Sequence, residues 1–140
     1  MSEEEKLVSR ANEDFYRAFE SLDIKRMESV WAHDEAIECG HPGWLILRGR
    51  KAVMESWRSI FENTAEIHFL LSEVTVHIQD NVAWVTLYEN LSSAVGEQNV
   101  SAMVLTTNIF KKIDEGWRMI HHHGSSVAQP PSEDSGPTVH

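Results

Sequence analysis

Three consecutive histidines, His121, His122 and His123, are the most conspicuous chemical groups in the sequence. They continue an apolar segment that begins at Trp117, and the turn residues before it predict a β-strand. Because side chains of a strand alternate between its two faces, Trp117, Met119, His121 and His123 are expected on one face and His122 on the other. Two imidazoles on the same face as a large aromatic ring are typical of a pocket wall.

These imidazoles have several possible uses. Same-face histidines two residues apart can chelate, so His121 and His123 could bind zinc, nickel or copper together with His41. They could instead hydrogen-bond a small acid or carbonyl ligand, or bond to neighbouring backbone as core residues. Of these three uses, we do not predict metal binding. We also predict no cofactor.

Length and charge limit the class of protein. The chain has 140 residues, which fits one domain, and a net charge of −10, which argues against nucleic-acid and anionic-membrane partners. Its one cysteine, Cys39, excludes an internal disulfide and is expected to be a packing residue. The sequence has no apolar run long enough to span a membrane, and its acidic N-terminus does not have the pattern of a signal peptide. We therefore expect a soluble, cytoplasmic protein.

Three amphipathic helices are predicted in the first half of the chain, at residues 3–21, 24–31 and 50–62, because apolar residues recur there at three- and four-residue spacing. Ser2 and Glu5 have the spacing of a capping box at the start of the first helix. Asp23 is the expected N-cap of the second.

Strands dominate the rest of the chain. Two short strands, at 36–39 and 44–48, are expected to form a hairpin around the His41-Pro42-Gly43 turn. Four long strands are predicted at 66–79, 82–91, 100–113 and 116–124. The apolar alternation of the first long strand slips by one residue near 71–73, which predicts a β-bulge.

Both faces of the long strands are apolar. In the strand from residue 82, Trp84 and Tyr88 alternate with Val85 and Leu87. A sheet covered on one side only should have a polar outer face. The helices can cover one face, and a second copy of the chain is the simplest cover for the other. We therefore predict a homodimer through the open sheet face.

Several sequence segments and the order of elements resemble the nuclear transport factor 2-like superfamily, and within it the SnoaL-like branch, which is related to the ketosteroid isomerases. The association domain of calcium/calmodulin-dependent kinase II belongs to the same superfamily. The segments that carry the resemblance are 22–23, 31–34, 41–44, 47–53, 56–57, 82–85, 107–110 and 117–125.

The resemblance implies an α+β, cystatin-like cone. In such a cone, three N-terminal helices pack on a strongly curved antiparallel sheet made of a short hairpin and four long strands. Residues 1–126 are expected to form this single SnoaL-like domain. Residues 127–140 are rich in proline and polar residues and are expected to be a disordered C-terminal tail.

The resemblance also places a pocket for a small, mostly apolar ligand inside the cone, between the helices and the concave face of the sheet. We expect it to be lined by aromatic side chains with a few polar groups, as small-molecule sites usually are. The predicted lining residues are Trp31, His41, Trp44, Trp57, Tyr88 and Asn108.

Glu38 is the predicted catalytic carboxylate, with His121 or His123 as its partner. A carboxylate among aromatic rings has a raised pKa and could remove a proton next to a carbonyl. The ketosteroid isomerase set of an aspartate base, a tyrosine and a protonated acid is not matched, although Tyr16 lies in the first helix. The superfamily includes isomerases, cyclases, dehydratases, hydrolases and non-catalytic binding or assembly modules, so the fold alone does not assign an activity.

Overall fold

A computed structural model describes residues 1–114 and 116–128. Its elements in chain order are α1 (Glu3–Ser21), α2 (Ile24–Val30), β1 (Glu38–Gly40), β2 (Leu47–Arg48), α3 (Arg50–Glu62), β3 (Glu66–Gln79), β4 (Val82–Val95), β5 (Gln98–Ile113) and β6 (Gly116–Val127). The three predicted helices are confirmed, and β4 to β6 extend further than predicted. The predicted tail lies outside the described residues from residue 129 onward.

Local signals explain where the helices begin. Ser2 Oγ accepts a hydrogen bond from the backbone N–H of Glu5, and the Glu5 carboxylate accepts one from the N–H of Ser2, each at 3.1 Å. This reciprocal pair is the predicted capping box, and it satisfies two amides that have no partner within the helix. The side chain of Asp23 caps α2 by accepting from the N–H of Lys25. Within the described residues, no helix combines the length and hydropathy needed to cross a membrane.

The strands form one six-stranded sheet in the order β2-β1-β6-β5-β4-β3. The short hairpin of β1 and β2 is antiparallel, as predicted, and β1 joins the long strands by pairing parallel with β6. All other neighbours are antiparallel. The helices pack on one face of this sheet, so the predicted α+β cone is confirmed.

The predicted bulge in β3 is present. The register against β4 shifts between Ser72 and Thr75, and Glu73 takes a left-handed conformation with φ of 50°. Ile67 before the bulge and Val76 after it both face the helices, although they are an odd number of residues apart. The bulge therefore keeps apolar side chains on the inner face while the strand bends.

A second bulge, which the sequence pattern did not reveal, lies in β6. Met119 pairs with Phe110 and His121 pairs with Ile109, so Ile120 is an extra residue on this strand. The faces are therefore exchanged after Ile120, and His122 continues the inner face of Met119. His121 and His123 lie on the outer face, so the predicted face of all three histidines is wrong.

The core is a cluster of aromatic rings between α1, α3 and the sheet. The Phe15 ring lies 4.8 Å from that of His122, 5.6 Å from Trp57 and 6.5 Å from Trp31, measured between ring centroids. Phe15 and both tryptophans are fully buried, as is the expected packing residue Cys39. Phe15 therefore connects the helical layer to the sheet.

Replacement of Phe15 by alanine is expected to lower the free energy of unfolding by about 3–5 kcal/mol, because it leaves a cavity among these rings. Leu45→Ala is the control, since Leu45 is 90% exposed at the tip of the β1–β2 hairpin and should change stability by about 0.5 kcal/mol or less. Urea unfolding followed by tryptophan fluorescence measures both values. Equal losses in the two variants would contradict this assignment of the core.

Candidate active site

A buried carboxyl group, Glu89, lies on the inner face of β4 against α1. Tyr16 Oη donates a hydrogen bond of 2.6 Å to Glu89 Oε2, and each residue is only 3% exposed. Burial raises the pKa of Glu89 from 4.5 to about 7, although the hydrogen bond from Tyr16 opposes this shift. Near neutral pH, Glu89 can therefore both accept and release a proton.

Asn108 on β5 connects this pair to the rest of the cone. Its Nδ2 donates to Asn12 Oδ1 at 2.9 Å and to Tyr16 Oη at 3.2 Å, which orients the amide. Its Oδ1 therefore accepts from His122 Nδ1 at 2.6 Å, and this partner assigns the proton of His122 to Nδ1. Burial holds the pKa of His122 well below its ordinary value, and the neighbouring His41 adds to the shift. His122 is therefore neutral, with Nε2 as its unprotonated nitrogen.

A second neutral imidazole, His41, lies 6.3 Å from His122, measured between ring centroids. Ser56 Oγ donates to the carbonyl of Val53 at 2.6 Å, so it accepts the 2.9 Å hydrogen bond from His41 Nε2. Burial lowers the pKa of His41 to about 4. Its ring packs edge-on against Trp57 at 4.7 Å and Trp44 at 4.9 Å. His41 is thus oriented by the core and uncharged at neutral pH.

Two polar atoms in the cone, Trp57 Nε1 and Thr106 Oγ1, are buried and have no hydrogen-bond partner among the described residues. Thr106 follows Val104 on the inner face of β5, close to Tyr16 and Glu89. A buried polar atom without a partner costs about 1–3 kcal/mol. Trp57 Nε1 is therefore available to hydrogen-bond a polar group brought into the cone, whereas the Thr106 hydroxyl lies close enough to Tyr16 and Glu89 to lower the pKa of both groups.

A surface groove between α1 and β3 leads to this cluster. Its volume is about 270 Å³. Tyr16 lies in its wall together with Phe69, and their ring centroids are 5.1 Å apart. The other lining residues are Glu13, Arg17, Glu20 and Leu71. The groove therefore ends against the buried Tyr16, which separates it from Glu89.

The predicted catalytic group of Glu38, His121 and His123 lies on the outer face of the sheet. Glu38 Oε1 is 3.5 Å from His121 Nδ1, so the expected carboxylate–imidazole pair does form. The Arg48 Nε also contacts Glu38 Oε2 at 3.0 Å, and the rings of His121 and His123 are 6.4 Å apart. This pair does not share a pocket with Trp117, because the bulge at Ile120 turns it outward. A catalytic role for it stays a prediction.

The predicted lining residues divide between different parts of the fold. Asn108, His41 and Trp57 lie inside the cone, and Trp31 is a core residue that donates to Met27 Sδ at 3.3 Å. Trp44 is 47% exposed on the hairpin between β1 and β2. Tyr88 was wrongly placed, because Glu89 and not Tyr88 has the inward parity of β4.

The alternative metal site from the sequence is not assembled. His41 lies inside the cone, whereas His121 and His123 lie outside it. Within residues 1–114 and 116–128, no three histidine, cysteine or acidic side chains are grouped as metal ligands.

The sequence interpretation missed the central residues of the cluster, but two signals could have found them. Glu89 follows Ala83, Val85 and Leu87 at the same parity, so it is a carboxyl group in an otherwise apolar row. Asn12 and Tyr16 are four residues apart on the buried stripe of α1. A polar residue on an apolar face must find a partner when it is buried.

Comparisons with known proteins identify the family and agree with the fold. Residues 8–129 match the family model of the SnoaL-like domain. A candidate dehydratase of the nuclear transport factor 2-like family from Streptomyces avermitilis is 35% identical; the similarity covers 90% of this chain and 97% of that one, with a TM-score of 0.84. A candidate calcium/calmodulin-dependent protein kinase type II association domain from Thiobacillus denitrificans is 31% identical over 86% and 94% of the two chains, with a TM-score of 0.77.

A curated relative is the F-box protein SKIP8 of Arabidopsis thaliana, which is 25% identical over 118 residues. This chain spans about half the length of that protein, since the match covers 84% of this chain and 48% of SKIP8. The similarity to the family model and to the two structures covers almost the whole fold, including the elements that carry the buried cluster. The chain belongs to the SnoaL-like domain family, within the nuclear transport factor 2-like superfamily.

Proposed function

We propose that this protein is an acid–base enzyme acting on a small, mostly apolar molecule in the cone, with Glu89 as the group that transfers the proton. The observation that carries the proposal is the buried Tyr16–Glu89 hydrogen bond of 2.6 Å, in which the carboxyl pKa is raised to about 7. A general base works best when its pKa is close to the operating pH. Glu89 meets that condition.

The neighbours of Glu89 have complementary roles. The single O–H of Tyr16 donates to Glu89 in this structure. When a substrate binds, this O–H turns to the substrate carbonyl oxygen, where it stabilises the negative charge that develops as Glu89 breaks a neighbouring C–H bond. Asn108 positions Tyr16 through its Nδ2. The aromatic rings supply an apolar wall, and the buried Trp57 Nε1 is available to donate to a substrate hydroxyl.

Elimination of water is the reaction class that we favour. Glu89 removes a proton next to the carbonyl, and the electrons of that C–H bond form a C=C bond. The C–O bond at the next carbon breaks, and the leaving oxygen takes the proton from Glu89 and departs as water, which returns Glu89 to its carboxylate form. The candidate dehydratase with 35% identity supports this choice over an isomerisation, in which the proton would return to another carbon.

The raised pKa of Glu89 predicts a pH-dependent difference in stability between the protein and Glu89→Gln. A carboxyl group with a raised pKa in the folded state stabilises the fold fully below its unfolded value of 4.5, and that contribution is lost as the pH rises to about 7. The amide introduced by this substitution cannot ionise but can still accept from Tyr16. The variant should therefore gain stability relative to the protein between pH 4.5 and 7, by up to about 3 kcal/mol.

Urea unfolding at several pH values measures this difference. His41 and His122 are present in both proteins. Their opposing contributions to the pH dependence of the free energy of unfolding therefore cancel in the difference. A difference that does not change with pH would show that Glu89 has an ordinary pKa, and the proposed base would be wrong.

Activity of the same variant tests the proposed role directly. A series of β-hydroxy ketones would be screened for loss of water by the ultraviolet absorbance of the conjugated product. We expect Glu89→Gln to lower kcat by about 100-fold or more, because it removes the general base. For the unchanged protein, kcat/KM should rise as the pH increases through about 7.

Glu38→Gln is the matched control, since it makes the same chemical change on the outer face. Little change is expected in this variant. A large loss in Glu38→Gln with activity kept in Glu89→Gln would instead support the outer pair of Glu38 and His121.

We also propose that the outer face of the sheet is the interface of a homodimer. Trp84 and Tyr88 on β4 and Ile109 on β5 lie on this face and are partly exposed, and Leu105 is 44% exposed. An apolar face of this kind is usually covered by a partner. The similarity to a candidate association domain supports a role in assembly as a second function of the same fold.

Leu105→Glu is expected to convert the dimer to a monomer, because it places a carboxylate at the centre of the apolar face. Leu7→Glu is the control, since Leu7 is similarly exposed, at 46%, but lies on α1. Sedimentation equilibrium at micromolar concentration distinguishes the two states. A monomer before any substitution would contradict the proposed interface.

A further inference from the structure

We propose that a second groove, where α1, α2 and β6 meet, binds a compact oxyanion between Arg26 and Arg118. The groove has a volume of about 330 Å³, larger than the groove beside Tyr16. It is lined by residues of three elements and is separate from the buried cluster. We call it the arginine groove, defined by Arg26, Arg118, Asp14, Ala11, Ala18 and Trp117.

The two guanidinium groups come from different elements, since Arg26 lies on α2 and Arg118 on β6. Neither forms an ion pair with a carboxylate in the described part of the chain, whereas Arg48 and Arg58 are paired with Glu38 and Glu28. Arg118 makes only a long hydrogen bond of 3.3 Å to the carbonyl of Trp117. Within residues 1–114 and 116–128, most of the donors of both groups have no partner, and guanidinium donors suit carboxylate and phosphate oxygens.

The guanidinium of Arg118 lies next to Gly116. A Cβ atom at position 116 would lie 3.0 Å from Arg118 Nη1 and 3.6 Å from its Cζ. The arginine therefore folds back over the glycine, in space that any other residue would occupy. A long side chain that is already positioned loses less conformational entropy when it binds a ligand.

The floor of the groove is formed by small residues of α1. Ala11 and Ala18 are seven residues apart and so lie on the same helix face, with Asp14 between them. The small methyl groups leave space beneath the two arginines, and the Trp117 ring closes the groove on the side of β6. The volume is at the lower end of the range of small-molecule sites, so the ligand must be small.

The charges of the groove select the class of ligand. Two guanidinium groups and one carboxylate, that of Asp14, give the lining a positive balance, although the whole chain has a net charge of −10. The acidic surroundings repel a polyanion such as nucleic acid at longer range. A small carboxylate or phosphate compound fits both the volume and the charge.

Binding would be measured on the full chain by NMR, using the indole N–H signal of Trp117, assigned with Trp117→Phe among the five tryptophans. Inorganic phosphate and succinate are titrated separately at constant ionic strength. We expect a saturable shift of this signal with one or both anions. Tighter binding of phosphate would indicate a phosphate compound as the natural ligand, and tighter binding of succinate a carboxylate.

Variants with opposite expected effects test the mechanism. Arg26→Gln and Arg118→Gln should each weaken binding by about tenfold or more, because each removes charge-assisted hydrogen bonds. Gly116→Ala should weaken it without changing any charge. Asp14→Asn should strengthen it several-fold, because it removes the repelling carboxylate.

Two controls make the same charge changes outside the groove. Lys51→Gln and Glu55→Gln are on exposed positions of α3 and should leave the dissociation constant unchanged. The proposal is overturned if neither anion gives a saturable shift, or if Lys51→Gln weakens binding as much as the two arginine variants do. Whether either anion gives a saturable shift is measured on the unchanged protein alone, so this test does not depend on the folding of the variants.

Discussion

The amide of Asn108 is the constraint on which the interior of the cone depends. It joins α1, through Asn12 and Tyr16, to β5 and to His122 on β6. Each of these groups is buried, so the loss of its partner would lower the free energy of unfolding by about 1–3 kcal/mol. The amide has donors and an acceptor on opposite sides, and for that reason it can satisfy a tyrosine oxygen and an imidazole N–H together. The Tyr16–Glu89 pair is oriented by this network.

The extra residue Ile120 decides which imidazole joins that network. In a regular strand His122 would face outward with Trp84 and Leu105, and the buried amide oxygen of Asn108 would have no partner on β6. With the bulge, His122 lies in the cone and is neutral because burial lowers its pKa. The two flanking histidines remain on the outer face beside Glu38. One sheet therefore carries two different polar systems, one on each face.

The two faces of the sheet differ in what covers them. Chemical groups on the inner face are shielded from water by α1 and α3, and this shielding raises the pKa of Glu89. Apolar side chains on the outer face have no such cover within one chain. Among the relatives, the Streptomyces avermitilis structure bears the name of a candidate dehydratase and the Thiobacillus denitrificans structure that of a candidate association domain. These relatives carry different names although they share the fold, so the cone by itself does not assign a function.

The sequence by itself determined the elements, because these follow from local patterns, and its resemblance to the superfamily gave the expectation of the fold class. Each local pattern is formed by residues that are close together in the sequence. Examples are the capping box at Ser2, the apolar stripe of α1 and the parity slip in β3. Only the tertiary structure decided which of the polar side chains meet inside the cone. The β6 bulge leaves no pattern, because Ile120 is as apolar as Met119, so the strand appears regular in sequence. Tyr16 and Glu89 are 73 residues apart, and only the packing of α1 on β4 brings them together and removes them from water.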